Sequence, residues 1–208
     1  MKTLAILPVK NLNQSKSRLS PAINRQQRES LTSHLLRRTI RILKTARGID
    51  DILLVSRDKK ICALALSENV RFLSERGAEL NQALEQATRW SVEYQYSAIL
   101  ILPLDLPLLI SEDIDSILRI SHGMEKIVVI APDQEMRGTN ALLVKPPGIM
   151  AYQFGLSSFQ CHCQQFSDRN IKSRIYRSAG TGFDLDSPWQ YQSILPTKLV
   201  EFNSCLKP

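Results

Sequence analysis

Short apolar runs alternate with amphipathic stretches along most of the chain. Unbroken apolar runs are typical of strands buried on both faces, whereas apolar residues that recur every three or four positions are typical of helices. The apolar runs predict strands over residues 3–9, 52–56, 70–73, 98–102, 127–131, 141–144 and 174–176. The periodic stretches predict helices over residues 24–46, 59–68, 80–92, 111–120 and 159–166. Ser111 is predicted to cap its helix, and Ser187-Pro188 predicts the start of a last short one.

This order of elements predicts the fold class. Strands that alternate with helices are joined by right-handed crossovers, which place helices on both faces of a mostly parallel sheet. The later strands are separated by loops and could add an antiparallel member. We therefore expect a single α/β domain, a three-layer sandwich with a mixed, mostly parallel sheet of about seven strands. We assign residues 1–195 to this domain and residues 196–208 to a C-terminal tail.

The composition excludes several classes of protein. With 43% hydrophobic and 23% charged residues, the chain is expected to fold rather than to be disordered. The most apolar stretch is interrupted by Asp105 and two prolines, so it is too short to span a bilayer. The first residues show no signal-peptide pattern, and we expect a cytoplasmic protein.

The net charge of +7 points to an anionic partner, which could be a nucleic acid, a phosphorylated small molecule or an anionic membrane. No block of consecutive Lys and Arg residues is present, and aromatic residues make up only 6% of the chain. Base stacking needs aromatic side chains. A nucleic-acid-binding tail is therefore not expected.

Four cysteines are present, at positions 62, 161, 163 and 205. The run Cys161-His162-Cys163 could share a metal ion, but no second pair of ligands lies near it in the sequence. Reduced thiols in a cytosolic protein are the favoured interpretation.

Ligands of open α/β sheets bind beyond the carboxyl ends of the strands, and three cations follow the first strand. Lys10, Lys16 and Arg18 lie within nine residues of one another. Such a loop can wrap a polyphosphate, with lysine as a point charge and arginine as a planar fork. It lacks the glycines of a Walker loop. A solvated basic loop is an equally good interpretation on local sequence alone.

Aspartates at two other places in the sequence are candidate metal ligands. Asp105 ends the most apolar strand between two prolines, where a carboxylate is costly unless it is paired or bound to a metal, so we favour a metal ligand over a cap or structural role. Asp184 and Asp186 would share one face of an extended segment and could converge on one hard cation such as Mg²⁺. Asp186 could instead form a turn or cap ahead of Ser187.

Two glycine loops carry small polar side chains. Gly138 precedes Thr139 and Asn140, and Gly155 is followed by Ser157 and Ser158. Such loops can present N–H and hydroxyl groups to a phosphate or carboxylate. Taken singly, each is predicted to be an ordinary turn.

In this order, the segments resemble the 2-phospho-L-lactate guanylyltransferase family of deazaflavin coenzyme biosynthesis. The resemblance spans about residues 4 to 190. The matching stretches are Pro8-Val9-Lys10, Lys16-Ser17-Arg18-Leu19-Ser20, Leu80-Asn81-Gln82-Ala83-Leu84, Asp105-Leu106-Pro107-Leu108, Ala131-Pro132-Asp133, Gly138-Thr139-Asn140-Ala141-Leu142, Phe154-Gly155 with Ser158-Phe159, and Asp184-Leu185-Asp186-Ser187-Pro188.

The resemblance implies a nucleotide-diphospho-sugar-transferase-like fold and transfer of GMP from GTP, with release of pyrophosphate. The acceptor would be 2-phospho-L-lactate, phosphoenolpyruvate or 3-phosphoglycerate. The implied partners are therefore GTP and a small phospho-acid, with no nucleic acid and no membrane. The implied ligands of Mg²⁺ or Mn²⁺ are Asp105, Asp184 and Asp186. The implied catalytic and nucleotide-binding residues are Pro8, Lys10, Lys16, Arg18, Asn81, Pro103 and Asp105. The implied acceptor-binding residues are Thr139, Asn140, Gly155 and Ser158.

Three residues depart from the family pattern. Leu104 and Glu79 stand where small residues are expected near the nucleotide, so the base preference is open. Arg137 replaces a glycine beside the acceptor and could contact a more anionic substrate.

The sequence is also compatible with two other functions. A metal-dependent glycosyltransferase would use a nucleotide-sugar donor with an Asp-x-Asp pair, although the basic loop favours a free triphosphate. A non-catalytic anion-binding or RNA-binding protein rests on net charge alone. Ile149, Met150 and Tyr152 could cover the acceptor or form the interface of a homodimer.

Overall fold

The strands and helices follow the order that the hydrophobic pattern predicts. The computed structural model describes residues 2–12, 15–77 and 79–194. The strands are β1 (Thr3–Pro8), β2 (Asp51–Ser56), β3 (Arg71–Ser74), β4 (Ala98–Ile101), β5 (Ile127–Pro132), β6 (Thr139–Lys145) and β7 (Ser173–Ile175). The α-helices are α1 (Arg25–Thr45), α2 (Lys59–Ser67), α3 (Leu80–Glu93), α4 (Ser111–Ile120), α5 (Ser158–Asp168) and α6 (Ala179–Gly182). A 3₁₀ turn spans Ser17–Leu19, and residues 188–194 are helical.

The seven strands form one mixed sheet in the order β3-β2-β1-β4-β6-β5-β7. β1 pairs in parallel with β2 and β4, and β5 pairs in parallel with β7. β6 runs antiparallel to both of its neighbours. The prediction of a mostly parallel sheet with a late antiparallel member is therefore confirmed. Because β6 is reversed, its first residues lie at the edge where the parallel strands end.

Helices cover both faces of the sheet, as expected for a three-layer sandwich. Side chains alternate between the two faces along each strand. On one face, Leu7 and Leu54 pack with Leu36 of α1, Ile61 of α2 and Ile114 of α4. On the other face, Leu84 of α3 and Phe159 of α5 pack on the alternate strand side chains, which include Leu4, Ile6 and Leu53.

A third apolar cluster joins two distant parts of the chain. Leu19 and Ile23, which precede α1, pack against Leu185 and against Tyr191 in residues 188–194. Leu19 and Leu185 are fully buried. Burial of side chains of this size stabilises the contact by roughly 1.5–3 kcal/mol each. The contact therefore fixes the basic loop next to the segment that carries Asp184 and Asp186.

One of the two predicted helix caps is confirmed. Asn24 accepts a hydrogen bond from Gln27 N at the start of α1. Ser187 Oγ accepts one from Gln190 N, so its predicted capping role is confirmed. Ser111 was predicted as the cap of α4, which is wrong, because Ile110 holds that position and donates its N–H to Asp113 Oδ2 at 3.0 Å.

Within the described ranges, no helix has the length and apolar character needed to cross a membrane. The predicted C-terminal tail, residues 196–208, lies outside the described residues.

Candidate active site

The predicted site residues come from strand ends that meet at one edge of the sheet. Pro8 ends β1, and Pro103 and Asp105 follow β4. Thr139 begins the reversed strand β6 and therefore lies at the same edge. Topology alone brings these four positions together from three parts of the sequence.

Lys16 joins two of the predicted carboxylates. Its Nζ lies 3.2 Å from Asp105 Oδ2 and 3.2 Å from Asp186 Oδ1, and it donates a hydrogen bond to the Leu185 carbonyl at 2.7 Å. Only 8% of the Lys16 side chain is exposed. Leu185 N also donates to the Asp105 carbonyl at 2.8 Å. We call Lys16, Asp105, Asp184 and Asp186 the carboxylate cluster.

The local backbone explains how Lys16 reaches this position. Lys16 has a left-handed conformation, with φ of 52°, and precedes the 3₁₀ turn whose Leu19 is buried. Ser15 Oγ donates to the Leu12 carbonyl at 2.8 Å and contacts Thr32 Oγ1 of α1 at 2.9 Å. The loop is thus anchored on both sides of Lys16.

Asp184 lies close enough to the other two carboxylates to feel their charge. Burial, followed by the negative charges of Asp105 and Asp186, raises the pKa of Asp184 to about 6. Asp105 Oδ1 is buried and has no hydrogen-bond partner among the described atoms. The carboxylate cluster therefore holds more negative charge than Lys16 compensates.

These residues have the chemistry of a site for a hard divalent cation, since Mg²⁺ prefers carboxylate oxygens. The unpartnered Asp105 Oδ1 and the crowded Asp184 fit such an ion. In the part of the chain that the structure describes, however, no three His, Cys, Asp or Glu side chains are arranged to hold a metal. Lys16 lies between Asp105 and Asp186 instead. The metal role of Asp105, Asp184 and Asp186 stays a prediction.

The other two cations of the basic loop face the solvent. The Arg18 side chain is 80% exposed, with its Nη1 3.4 Å from Asp186 Oδ2. Exposed pairs of this kind contribute little, about 0–1 kcal/mol. Lys10 is also exposed, two residues beyond β1. Both remain placed to meet an anionic ligand at this edge.

A second group of polar side chains surrounds Thr139. Its Oγ1 lies 3.0 Å from His162 Nδ1 and 3.2 Å from Ser158 Oγ. His162 Nε2 accepts a hydrogen bond from Gln153 N at 3.0 Å. Burial lowers the pKa of His162 to about 4, so the ring is neutral at pH 7. We call Thr139, Ser158 and His162 the hydroxyl cluster.

Sequence reasoning placed His162 only in a candidate metal run and missed this contact. One signal could have found it: His162 lies four residues after Ser158, so both fall on one face of α5. Both ring nitrogens are occupied by the contacts above. Cys161 and Cys163 are free thiols, as the favoured interpretation holds, and burial raises the pKa of Cys163.

Two glycines shape the backbone beside the hydroxyl cluster. Gly155 has φ of 138°, which L side chains rarely adopt. A Cβ on Gly138 would lie 2.7 Å from Asp133 Oδ2, which accepts the Gly138 N–H at the same distance. A side chain at Gly155 would strain the backbone, and one at Gly138 would displace the Asp133 carboxylate. The prediction that Thr139 lies in a turn is wrong, because the β6 ladder includes it.

Two predicted site residues make contacts elsewhere. Asn140 Nδ2 donates to the Thr181 carbonyl at 2.9 Å, because neighbouring residues of a strand point to opposite faces. The structure thus separates Asn140 from Thr139. Asn81 accepts the Phe154 N–H at 2.9 Å and donates to the Phe154 carbonyl at 3.1 Å. Asn81 therefore ties α3 to the backbone that precedes Gly155.

Comparison with known proteins identifies the family. Residues 3–195 match the family model described as guanylyl transferase CofC like. The chain belongs to this guanylyltransferase family. It is 38% identical over 188 residues to the phosphoenolpyruvate guanylyltransferase of Rubrobacter xylanophilus, covering 90% of this chain and 91% of that one. It is 34% identical over 188 residues to the 2-phospho-L-lactate guanylyltransferase of Methanothermobacter thermautotrophicus, covering 90% and 81%.

A solved structure supports the fold assignment. A protein from Desulfovibrio desulfuricans G20, assigned as a nucleotide-diphospho-sugar transferase, superposes with a TM-score of 0.80 at 14% identity, covering 95% of this chain and 88% of that one. The predicted family and fold are therefore confirmed, and the match to guanylyltransferases does not favour the glycosyltransferase or the RNA-binding alternative.

The three departures from the family pattern now have structural positions. Arg137 is 71% exposed, its Nη1 lies 3.3 Å from Glu135 Oε2, and its carbonyl accepts the Phe159 N–H at the start of α5. Its guanidinium is thus exposed to solvent and paired with Glu135. Glu79 holds the N-cap position of α3 without a side-chain cap. Leu104 is half-buried and packs against the core.

Proposed function

We propose that this chain transfers the GMP group of GTP to a small three-carbon phospho-acid and releases pyrophosphate. The observation that carries the proposal is the joining of Lys16 to Asp105 and Asp186 at the sheet edge where Thr139 also begins β6. One part of this edge suits a triphosphate with its cation, and the other suits a small anion held by hydroxyl groups.

In this reaction an oxygen of the acceptor phosphate attacks the α-phosphorus of GTP. The bond from the α-phosphorus to the bridging oxygen breaks, and pyrophosphate leaves with the electron pair. The attacking phosphate is already anionic at pH 7, so no strong base is needed. The barrier is the repulsion between anions, which positive side chains lower. Lys16, with Lys10 and Arg18 beside it, would balance the charge of the leaving pyrophosphate.

Asp105, Asp184 and Asp186 would hold Mg²⁺ or Mn²⁺, which when bound neutralises charge on phosphate oxygens. Lys16 would then leave the two carboxylates for the triphosphate, because its amino group and the ion need the same oxygens. Lysine suits this exchange, since its charge sits on a flexible four-carbon stem.

The acceptor would bind at Thr139, Ser158 and the backbone near Gly155. Thr139 and Ser158 are buried hydroxyls at the end of a rigid strand and the start of a helix. Of the three acids, we propose phosphoenolpyruvate first, because the Rubrobacter relative that is 38% identical carries that name.

The test is a matrix of four nucleoside triphosphates against the three acids, with Mg²⁺, read by pyrophosphate release and by the mass of the product. We expect GTP with phosphoenolpyruvate to be the fastest pair. Transfer to another of the acids would correct the acceptor alone. Absence of release with every pair, or turnover of a nucleotide-sugar instead, would overturn the proposal.

A further inference from the structure

We propose that His162 is a positioning residue that aims the hydroxyl proton of Thr139 at the acceptor. The inference rests on the proposed function, because it takes Thr139 to be an acceptor-binding residue. It assigns a role to a buried histidine that the reaction itself does not require.

The contact with Gln153 fixes which ring nitrogen of His162 carries the proton. Gln153 N lies 3.0 Å from His162 Nε2. A backbone N–H can only donate, so Nε2 must present its lone pair. A neutral ring has one proton, which is therefore on Nδ1. His162 Nδ1–H then donates to Thr139 Oγ1, 3.0 Å away.

The hydroxyl group of Thr139 accepts a second hydrogen bond. Ser158 Oγ also donates to Thr139 Oγ1, at 3.2 Å. A hydroxyl has two lone pairs and one proton, and His162 and Ser158 use both lone pairs. Across residues 2–12, 15–77 and 79–194, no hydrogen bond donated by Thr139 Oγ1 is present. The proton of Thr139 is thus left to an oxygen of the bound acid.

The packing around His162 holds its ring in one orientation. His162 is fully buried, with the Phe154 ring edge-on at 5.1 Å and the Phe166 ring stacked at 6.5 Å between centroids. The segment that supplies Gln153 N is held at both ends. Gln165 pairs with both backbone groups of Ala151, and Asn81 pairs with both backbone groups of Phe154. The ring therefore cannot turn without breaking the Gln153 contact.

The tautomer can be measured on the wild-type protein by ¹⁵N NMR of the histidine side chains at pH 7. We expect His162 to carry its proton on Nδ1, with Nε2 unprotonated. A proton on Nε2 would overturn the proposal outright. The assignment comes from His162→Asn, whose spectrum lacks the His162 signals.

Two substitutions separate the two sides of the ring. In His162→Asn the amide nitrogen can take the place of Nδ1 and still donate to Thr139. In His162→Gln the longer amide can reach the place of Nε2 and accept from Gln153, but the donor to Thr139 is lost. Both leave one buried group unpaired, so their thermal stabilities should fall together.

With phosphoenolpyruvate as the acceptor, His162→Gln should raise the acceptor KM about tenfold, and His162→Asn should change it about threefold at most, because one hydrogen bond to an anion is involved. The KM for GTP should stay unchanged in both. The exposed His122→Asn is the matched control. A merely structural histidine would give equal changes in acceptor KM, and that result would overturn the proposal.

Failure of the proposed function and failure of the role of His162 give different results in these experiments. If the wild-type protein transfers GMP to none of the three acids, the function proposed above fails, whatever the tautomer. If transfer occurs while the Asn and Gln variants raise the acceptor KM equally, only the role of His162 fails. If neither variant folds, the wild-type tautomer decides.

Discussion

The carboxylate cluster and the hydroxyl cluster share one edge of the sheet but are built on different physics. In the carboxylate cluster, Lys16 pairs with two of three acids that repel one another, and burial followed by that repulsion raises the pKa of Asp184 to about 6. In the hydroxyl cluster, each group is neutral, and Thr139 and His162 are almost fully buried. One cluster is held by charge and the other by directed hydrogen bonds.

The difference indicates how each cluster can respond to a ligand. Coulomb attraction falls slowly with distance, so charged groups can exchange partners at modest cost. Hydrogen bonds weaken steeply when the angle at the proton becomes unfavourable, so the hydroxyl cluster keeps one arrangement. We expect the carboxylate cluster to rearrange when a nucleotide binds and the hydroxyl cluster to stay as it is.

The largest effect should come from the carboxylate cluster. Asp184→Asn should lower guanylyl transfer about a thousandfold at limiting Mg²⁺, because a lost ligand removes several kcal/mol of stabilisation from the transition state. Pyrophosphate release across a Mg²⁺ titration is the measurement. Asp168→Asn, at an exposed site, is the control. Full activity of Asp184→Asn at limiting Mg²⁺ would contradict the metal prediction.

The next effect belongs to the hydroxyl cluster and concerns stability. Burial lowers the pKa of His162 from 6.5 to about 4, so between these values the unfolded chain binds a proton that the folded protein does not. The stabilisation is complete above pH 6.5 and lost as the pH falls toward 4. It amounts to about 3 kcal/mol.

Denaturant unfolding between pH 7 and pH 4 checks this prediction. The wild-type protein should lose about 3 kcal/mol more of its free energy of unfolding than His162→Asn, which has no proton to gain. His122→Asn should follow the wild type. Identical pH profiles for His162→Asn and the wild type would show that the ring is not kept neutral by the fold.

A substitution of Lys16 tests whether this side chain binds the triphosphate rather than the acceptor. Lys16→Ala should lower kcat/KM for GTP about a hundredfold and change the acceptor KM about threefold at most, since removal of one electrostatic contact costs about 3 kcal/mol. Lys126→Ala, an exposed lysine next to β5, is the control. Equal losses for both substrates would remove Lys16 from the triphosphate.

The smallest predicted effect is a gain in stability rather than a loss. When the pKa of a carboxyl group is raised to about 6 in the folded protein, the contribution of that group to the stability of the fold is lost as the pH rises through that value. At pH 7.5 without divalent cations, Asp184→Asn should therefore raise the free energy of unfolding, by about 1 kcal/mol after allowance for solvent screening. Destabilisation by this variant would mean that Lys16 already balances the cluster.

Local patterns in the sequence predicted most of the fold. The predicted bounds of each of the seven strands lie within two residues of the observed bounds, because a strand buried on both faces has an unbroken run of apolar residues. The helical recurrence of apolar residues over 24–46 predicted α1 in the same local way. The cap of α4 was missed because Asp113 accepts the Ile110 N–H from inside the helix, so Ser111 was not needed.

The sequence by itself determined the order of elements, the family and the residue types at the sheet edge, since these depend on neighbours along the chain. Only the tertiary structure decided which side chains of the site contact one another. It placed Lys16 between Asp105 and Asp186, turned Asn140 away from Thr139, and brought His162 to Thr139. The physical reason is that these contacts join residues far apart in sequence, and their geometry is set by burial of Leu19 against Leu185 and by the reversal of β6.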